Sequence, residues 1–269
     1  MRREEVTLLT ELVIRLIAGL VGAAIFAFAA RRAGALSTSG AVAGTVVGAI
    51  ALTVGWSWGL LLVAHFISAS ALSKFGETRK AKRIGGVVEK GDRRDAKQVL
   101  ANGGVYALAA IAYMATRTHS WYAIGIGALA ASAADTWATE IGTLFGRNPR
   151  SIVSGQPVPA GTSGGVSLIG TIGSFGGALF IAAGASIAGW PVPFAAVVLG
   201  GLAGAMADSI LGATLQTRRW CDVCAKPTER PVHSCGNRTR RTGGLRGFDN
   251  DAVNAVSSGV GALVALLLS

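Results

Sequence analysis

The sequence predicts an all-α fold, a polytopic membrane bundle of about eight transmembrane helices, on three observations. Hydrophobic residues make up 51% of the 269 residues, and the mean hydropathy is +0.50. Charged residues make up 14%, against about 25% in a soluble domain. The apolar residues also fall in runs that approach the ~20 needed to cross a bilayer. The 38 glycines fit this reading, since small residues let membrane helices pack closely. An ordinary soluble enzyme and a disordered chain are both excluded. Three cysteines imply no disulfide framework. Residues 1–269 read as one integral membrane domain, with the lipid bilayer as its first partner.

The first span, Leu8 to Ala30, follows Met1-Arg2-Arg3 as a signal peptide does. It lacks a clear small-residue cleavage site and more spans follow, so it reads as a retained helix. The others are Ser39–Thr53, Trp58–Leu72, Asn102–Ala115, Trp121–Leu144, Gly165–Ala188, Phe194–Gln216 and Asp251–Leu268. Ser39–Thr53 and Asn102–Ala115 are short for a crossing and extend into their flanks. Three links are long and polar: Ser73 to Ala101, Phe145 to Gly164 and Thr217 to Asn250. Alternating spans put these and the Arg31-Arg32 turn on one face, with 21 of the 25 basic residues. That asymmetry places the face in the cytoplasm of a cell-membrane protein. The net charge of +11 thus reports topology first and gives no sign of nucleic acid.

Gly-Gly followed by an aliphatic residue recurs at Gly85-Gly86-Val87, Gly164-Gly165-Val166 and Gly243-Gly244-Leu245. Ala134-Asp135-Thr136 is echoed by Ala207-Asp208-Ser209. These matches read as repeated helix–loop–helix units, each descending to the basic face and returning.

Asp135, Glu140 and Asp208 stand out because they fall within spans. A carboxylate at helix depth costs at least ~2.5 kcal/mol and marks a functional site by default. Asp135 and Asp208 lie at similar depth on repeat-related helices and can converge on one cation. Glu140, five positions after Asp135, turns about 140° around the helix and need not share that ligand set. Asp249-Asn250-Asp251 and Asn254 open the last helix. One N-cap needs one such residue, and four in six positions exceeds that need. In Lys90-Gly91-Asp92-Arg93-Arg94-Asp95, the cations suit phosphate oxygens and the carboxylates suit Mg²⁺. Asn102 shares a face with Asp95. Gly161-Thr162-Ser163-Gly164-Gly165 offers amides and hydroxyls for a phosphate at a helix start. Within the 217–250 link, Cys221, Cys224, His233 and Cys235 supply three thiols and an imidazole. That is a ligand set for a structural, tetrahedral Zn²⁺.

Together these segments resemble an integral-membrane family that includes the chloroplast phytyl-phosphate kinase of vitamin E synthesis and many uncharacterised prokaryotic members. The matching strings are Lys90 to Ala96, Ala101-Asn102-Gly103, Asp135 to Gly142, Pro149-Arg150, Gly161 to Ser167, Ala207 to Gln216 and Asp249 to Asn254. The resemblance implies phosphoryl transfer from a nucleoside triphosphate, with CTP expected, to an isoprenoid monophosphate such as phytyl or geranylgeranyl phosphate. It implies Mg²⁺ held by Asp135, Asp208, Asp249 and Asp251, with Glu140 nearby. Lys90, Arg93, Arg94 and Arg150 are then expected on phosphates, with Thr162, Ser163 and Gly164 on the nucleotide and Asn102 and Asn254 beside the substrates. The rival reading is a transporter or flippase for an anionic lipid or metabolite, which would use repeats and intramembrane carboxylates equally well.

Overall fold

Each of the eight expected spans becomes a long helix in the computed structural model, which describes residues 2–84 and 93–269. The long helices are α1 (Arg2–Arg32), α2 (Thr38–Val54), α3 (Trp56–Lys74), α5 (Ala96–Thr116), α6 (Ser120–Phe145), α7 (Leu168–Ile187), α8 (Phe194–Thr214) and α9 (Asn250–Leu267). A short polar helix, α4 (Glu77–Ile84), precedes α5. Among the described residues, six helices are long and apolar enough to cross a membrane: α1 from Thr10, α3, α5, α7, α8 and α9. The protein is thus a multi-pass helical membrane protein. α2 has 17 residues and is shorter than the rest.

α6 has 26 residues but is not among these six, for a positional reason. It is the central helix and packs against α3, α5, α7, α8 and α9. Its stretch from Gly125 to Ala134 is buried without a break. A helix that meets protein on all sides needs small residues for close approach more than it needs apolar bulk for lipid.

The helices pair as descending and returning partners in three units, α1 on α2, α6 on α7 and α8 on α9. The pair α3 and α5 diverges, and α5 packs instead on α2 and α6. α3 and α5 meet at the end away from the long links, where Tyr106 Oη donates to the Trp58 carbonyl at 2.7 Å. That end is filled by aromatic rings. Trp58 lies 5.1 Å from Tyr106, 5.5 Å from Tyr122 and 4.6 Å from Trp190, and Tyr113 lies 4.6 Å from Tyr122.

The long links are more ordered than a polar composition suggests. The first contains α4, which terminates two other helices. Lys80 Nζ donates to the carbonyls of Leu72 (2.8 Å) and Ser73 (2.5 Å) at the end of α3. Arg83 donates to the carbonyls of Leu144 and Gly146 at the end of α6. Cations there satisfy orphan carbonyls and complement the helix dipole. The second link pairs β1 (Arg150–Ser151) with β2 (Gly165–Val166). The third folds as a three-stranded sheet, ordered β4 (Lys226–Thr228), β3 (Arg218–Cys221), β5 (Arg240–Gly243). Gly85-Gly86-Val87 and Lys90-Gly91-Asp92 lie outside the described residues.

Candidate active site at the basic face

The site begins with a close helix approach. Gly204 on α8 lies one turn before Asp208, and Ala131 on α6 lies one turn before Asp135. A Cβ at position 204 would stand 2.2 Å from the Ala131 Cβ and 2.9 Å from the Ser257 carbonyl on α9. The bare glycine therefore sets the α6–α8–α9 spacing. Residues four apart share a helix face, so the two aspartates are brought together just below this contact. Their carboxyl groups come within interaction distance of each other. Asp208 Oδ2 also accepts from Ser257 Oγ at 3.2 Å. Asp135 is ten residues from the end of α6 and Asp208 six from the end of α8, about 15 and 9 Å along their helices. Two carboxyls in contact need a shared proton or a cation between them.

Both aspartates line a cleft of about 630 Å³. Glu140, Arg94, Asn102, Thr162, Ser163, Gly164 and Asn254 line the same cleft. Glu140 accepts from Lys80 Nζ at 2.5 Å. With its two carbonyl acceptors, this uses all three Lys80 donors. Arg94 Nη1 donates to Ser70 Oγ at 2.6 Å, and its guanidinium lies 5.3 Å from the Phe66 ring centre. Burial lowers the Arg94 pKa and Glu140 opposes that shift; an arginine stays charged under such a shift. Asn102 Oδ1 accepts from Ser132 Oγ at 2.9 Å, and Ser132 contacts His65 Nε2 at 3.2 Å.

The glycine-rich segment reaches the cleft without starting a helix. Gly164 has φ +76°, and Gly165-Val166 forms β2. Ser167 is the N-cap of α7, accepting from the Gly170 amide at 3.1 Å. The expected helix-start phosphate site at Gly161–Gly165 is therefore a loop and strand edge. Its donors are hydroxyls and loop amides, because a left-handed glycine at 164 cannot open an α-helix. Ser163 Oγ donates to Glu229, a cleft residue supplied by the third link.

Other expected residues fall elsewhere. Asp249 is the N-cap of α9, accepting from the Ala252 amide at 3.0 Å. Asp251 is buried in the first turn of α9. Neither lines the cleft. Arg150 donates to the Gly155 carbonyl at 2.8 Å within its own link, and Arg93 is exposed; neither is a cleft residue. Lys90 lies outside the described residues. Lys80, Gln98, Thr136 and Glu229 line the cleft without a sequence signal that separates them from ordinary loop or helix residues.

Cys221, Cys224, His233 and Cys235 come together: one ligand atom from each lies within 4.8 Å of the others. Cys221 Sγ and Cys235 Sγ are 3.7 Å apart. That is far beyond a disulfide bond and equals the edge of a tetrahedron with Zn–S bonds of about 2.3 Å. Hydrogen bonds from the Asn237 side chain and backbone, then His233, pull the Cys235 thiol down to about 5. Contact with Cys235 and burial push Cys224 up to about 11.

The family described as "Integral membrane protein DUF92" matches residues 21–262. "Protein PGR" of Arabidopsis thaliana is 32% identical, covering 90% of this chain and 92% of that protein. "Uncharacterized membrane protein MJ0933" of Methanocaldococcus jannaschii is 31% identical over 77% of this chain and 86% of its own length. "Protein VTE6, chloroplastic" of Arabidopsis thaliana is 28% identical over 87% of this chain and 65% of its own length. No solved structure matches the chain.

Proposed function

Because the chain belongs to the DUF92 family of integral membrane proteins, we propose that it is a membrane prenyl-phosphate kinase, transferring a phosphoryl group from a nucleoside triphosphate, CTP by preference, to an isoprenoid monophosphate. The observation that carries this reading is the cleft in which the Asp135–Asp208 pair and Arg94 face the glycine-rich loop. In the reaction an oxygen of the acceptor phosphate attacks the nucleotide γ-phosphorus. The bond to the β-phosphate oxygen breaks, giving a prenyl diphosphate and a nucleoside diphosphate. An acceptor phosphate is already anionic at neutral pH, so no strong general base is required. The chain must instead orient two anions and neutralise them.

The contacting carboxyls of Asp135 and Asp208 fit Mg²⁺, which binds through one or two carboxylates together with substrate phosphates. Held by Asp135 and Asp208, it would supply the positive charge that offsets the charge of the phosphates. Ser257 holds Asp208 in place, Arg94 neutralises the acceptor, and Thr162 and Ser163 offer hydroxyls to the nucleotide. Basic links on the cytoplasmic side meet a soluble nucleotide there.

The transporter reading requires access from both faces. The aromatic cluster around Trp58, with Trp58 1% and Trp190 7% exposed, fills the opposite end and disfavours it. Purified protein in detergent, given Mg²⁺, CTP and geranylgeranyl monophosphate, is expected to yield the diphosphate. No diphosphate with any nucleotide or prenyl chain would overturn the kinase reading.

For the third link we propose a structural Zn²⁺ on Cys221, Cys224, His233 and Cys235. It would fasten the sheet that carries Glu229 toward Ser163. Metal analysis should find one zinc per chain, lost in Cys221→Ser; a zinc-free wild type would contradict this.

A further inference from the structure

A second cavity lies beside the cleft, bounded by α1, α2, α3 and α5, with a volume of about 280 Å³. It exists because α3 and α5 diverge where the other units close. Its walls are almost wholly apolar, with Phe26, Leu36, Val47, Leu62 and Phe66 among them. From Trp56 to Ala69 it follows α3 for fourteen residues, about 20 Å. Along one side it opens toward lipid, where Trp56 is 74% exposed and Gly22 is exposed.

At the basic end the cavity shares Arg94, Gln98, Asn102 and Thr136 with the cleft. The two spaces thus form one amphipathic volume with a cation at the junction. His65 lines the apolar side of that junction and is 7% exposed. Ser132 gives its proton to Asn102, so His65 Nε2 donates to Ser132 and Nδ1 is left as an acceptor. That atom is buried without a hydrogen-bond partner among the described residues. A buried acceptor of this kind calls for a donor from a ligand or water.

We propose that this cavity is the slot for the hydrocarbon chain of the acceptor. The chain would enter from lipid between α1 and α3, its phosphate stopping at Arg94 and a protonated phosphate oxygen or bridging water reaching His65 Nδ1. This rests on the kinase reading and adds to it where the substrate lies and what measures its length. Gly22 and Gly44 keep the slot open. A Cβ at either would first meet a side chain at 3.6 Å, Leu52 and Leu36 respectively, so each position accepts bulk without striking the backbone.

The test is chain-length selectivity in Gly22→Leu, deep in the slot, and Gly44→Leu, nearer the junction. The readouts are kcat/KM and nucleotide-free binding for geranyl and geranylgeranyl monophosphate. Gly22→Leu should lower the geranylgeranyl-to-geranyl ratio by about tenfold or more, and Gly44→Leu should weaken both chains. If Gly22→Leu does not fold, Gly44→Leu decides alone. Turnover with wild-type binding and selectivity in the folded variants would overturn the slot and leave the kinase standing. Binding that the variants alter, without turnover on any nucleotide, would overturn the kinase and leave the slot. No binding of either chain by the wild type would overturn the slot.

Discussion

Replacing Gly204 by alanine tests whether helix spacing builds the site. The new Cβ would lie 2.2 Å from the Ala131 Cβ, whereas carbon atoms settle at about 3.5–4.0 Å. α6 and α8 must therefore part locally by about 1.5 Å. The overpacking should cost about 1–3 kcal/mol, which the bundle can absorb. The site is less tolerant, because Asp135 and Asp208 lie one turn away on the same two faces. A misplacement of about 1 Å can cost about 10²-fold in rate. Gly204→Ala is thus expected to stay folded, by thermal melting in detergent, and to lose about 10²-fold in diphosphate formation. Adding Ala131→Gly removes the Cβ–Cβ clash and should recover part of that loss. Full turnover in Gly204→Ala alone would refute the claim that this contact sets the carboxyl geometry.

Other consequences are independent of turnover. Lys80→Met leaves Glu140 without its cation and should destabilise the protein by about 3 kcal/mol in chemical unfolding, the low end for a broken buried pair. The Lys80→Met/Glu140→Met double variant should recover the part due to the unpaired Glu140 but not the part due to the Leu72 and Ser73 carbonyls, and equal stability of wild type and Lys80→Met would contradict the role given to the pair. In metal-stripped protein the same hydrogen bonds from Asn237 and His233 hold the Cys235 thiol down to about 5, below its ordinary value of 9.0. Its thiolate therefore supports the third link fully above pH 9, and that support is lost as pH falls through about 5. Alkylation at neutral pH with peptide mapping should modify Cys235 and spare Cys224. Equal labelling would count against the asymmetry between the two thiols.

The long helices are legible in the sequence because lipid and protein both demand apolar runs. The pairing of Asp135 with Asp208 is legible for a different reason: the Ala-Asp-hydroxyl echo places both acids on descending helices. Order in the links is not legible. Lys80 reads as one more positive charge on a basic face, and its role depends on carbonyls at Leu72 and Ser73 and on Glu140, which only tertiary structure brings near. Gly161–Gly165 resembles a helix start because Gly and Ser serve both caps and loops; Ser167, not Ser163, caps α7. The apolar cavity leaves no mark in the sequence at all, since it arises from the divergence of α3 and α5.

The central claim is that the Asp135–Asp208 pair holds the metal for phosphoryl transfer. It is tested most directly by the Mg²⁺-dependent rate of diphosphate formation in Asp135→Asn and Asp208→Asn, each verified as folded. Both substitutions should lower turnover by about 10²–10³-fold and abolish its response to added Mg²⁺. Wild-type turnover in either variant would contradict the claim.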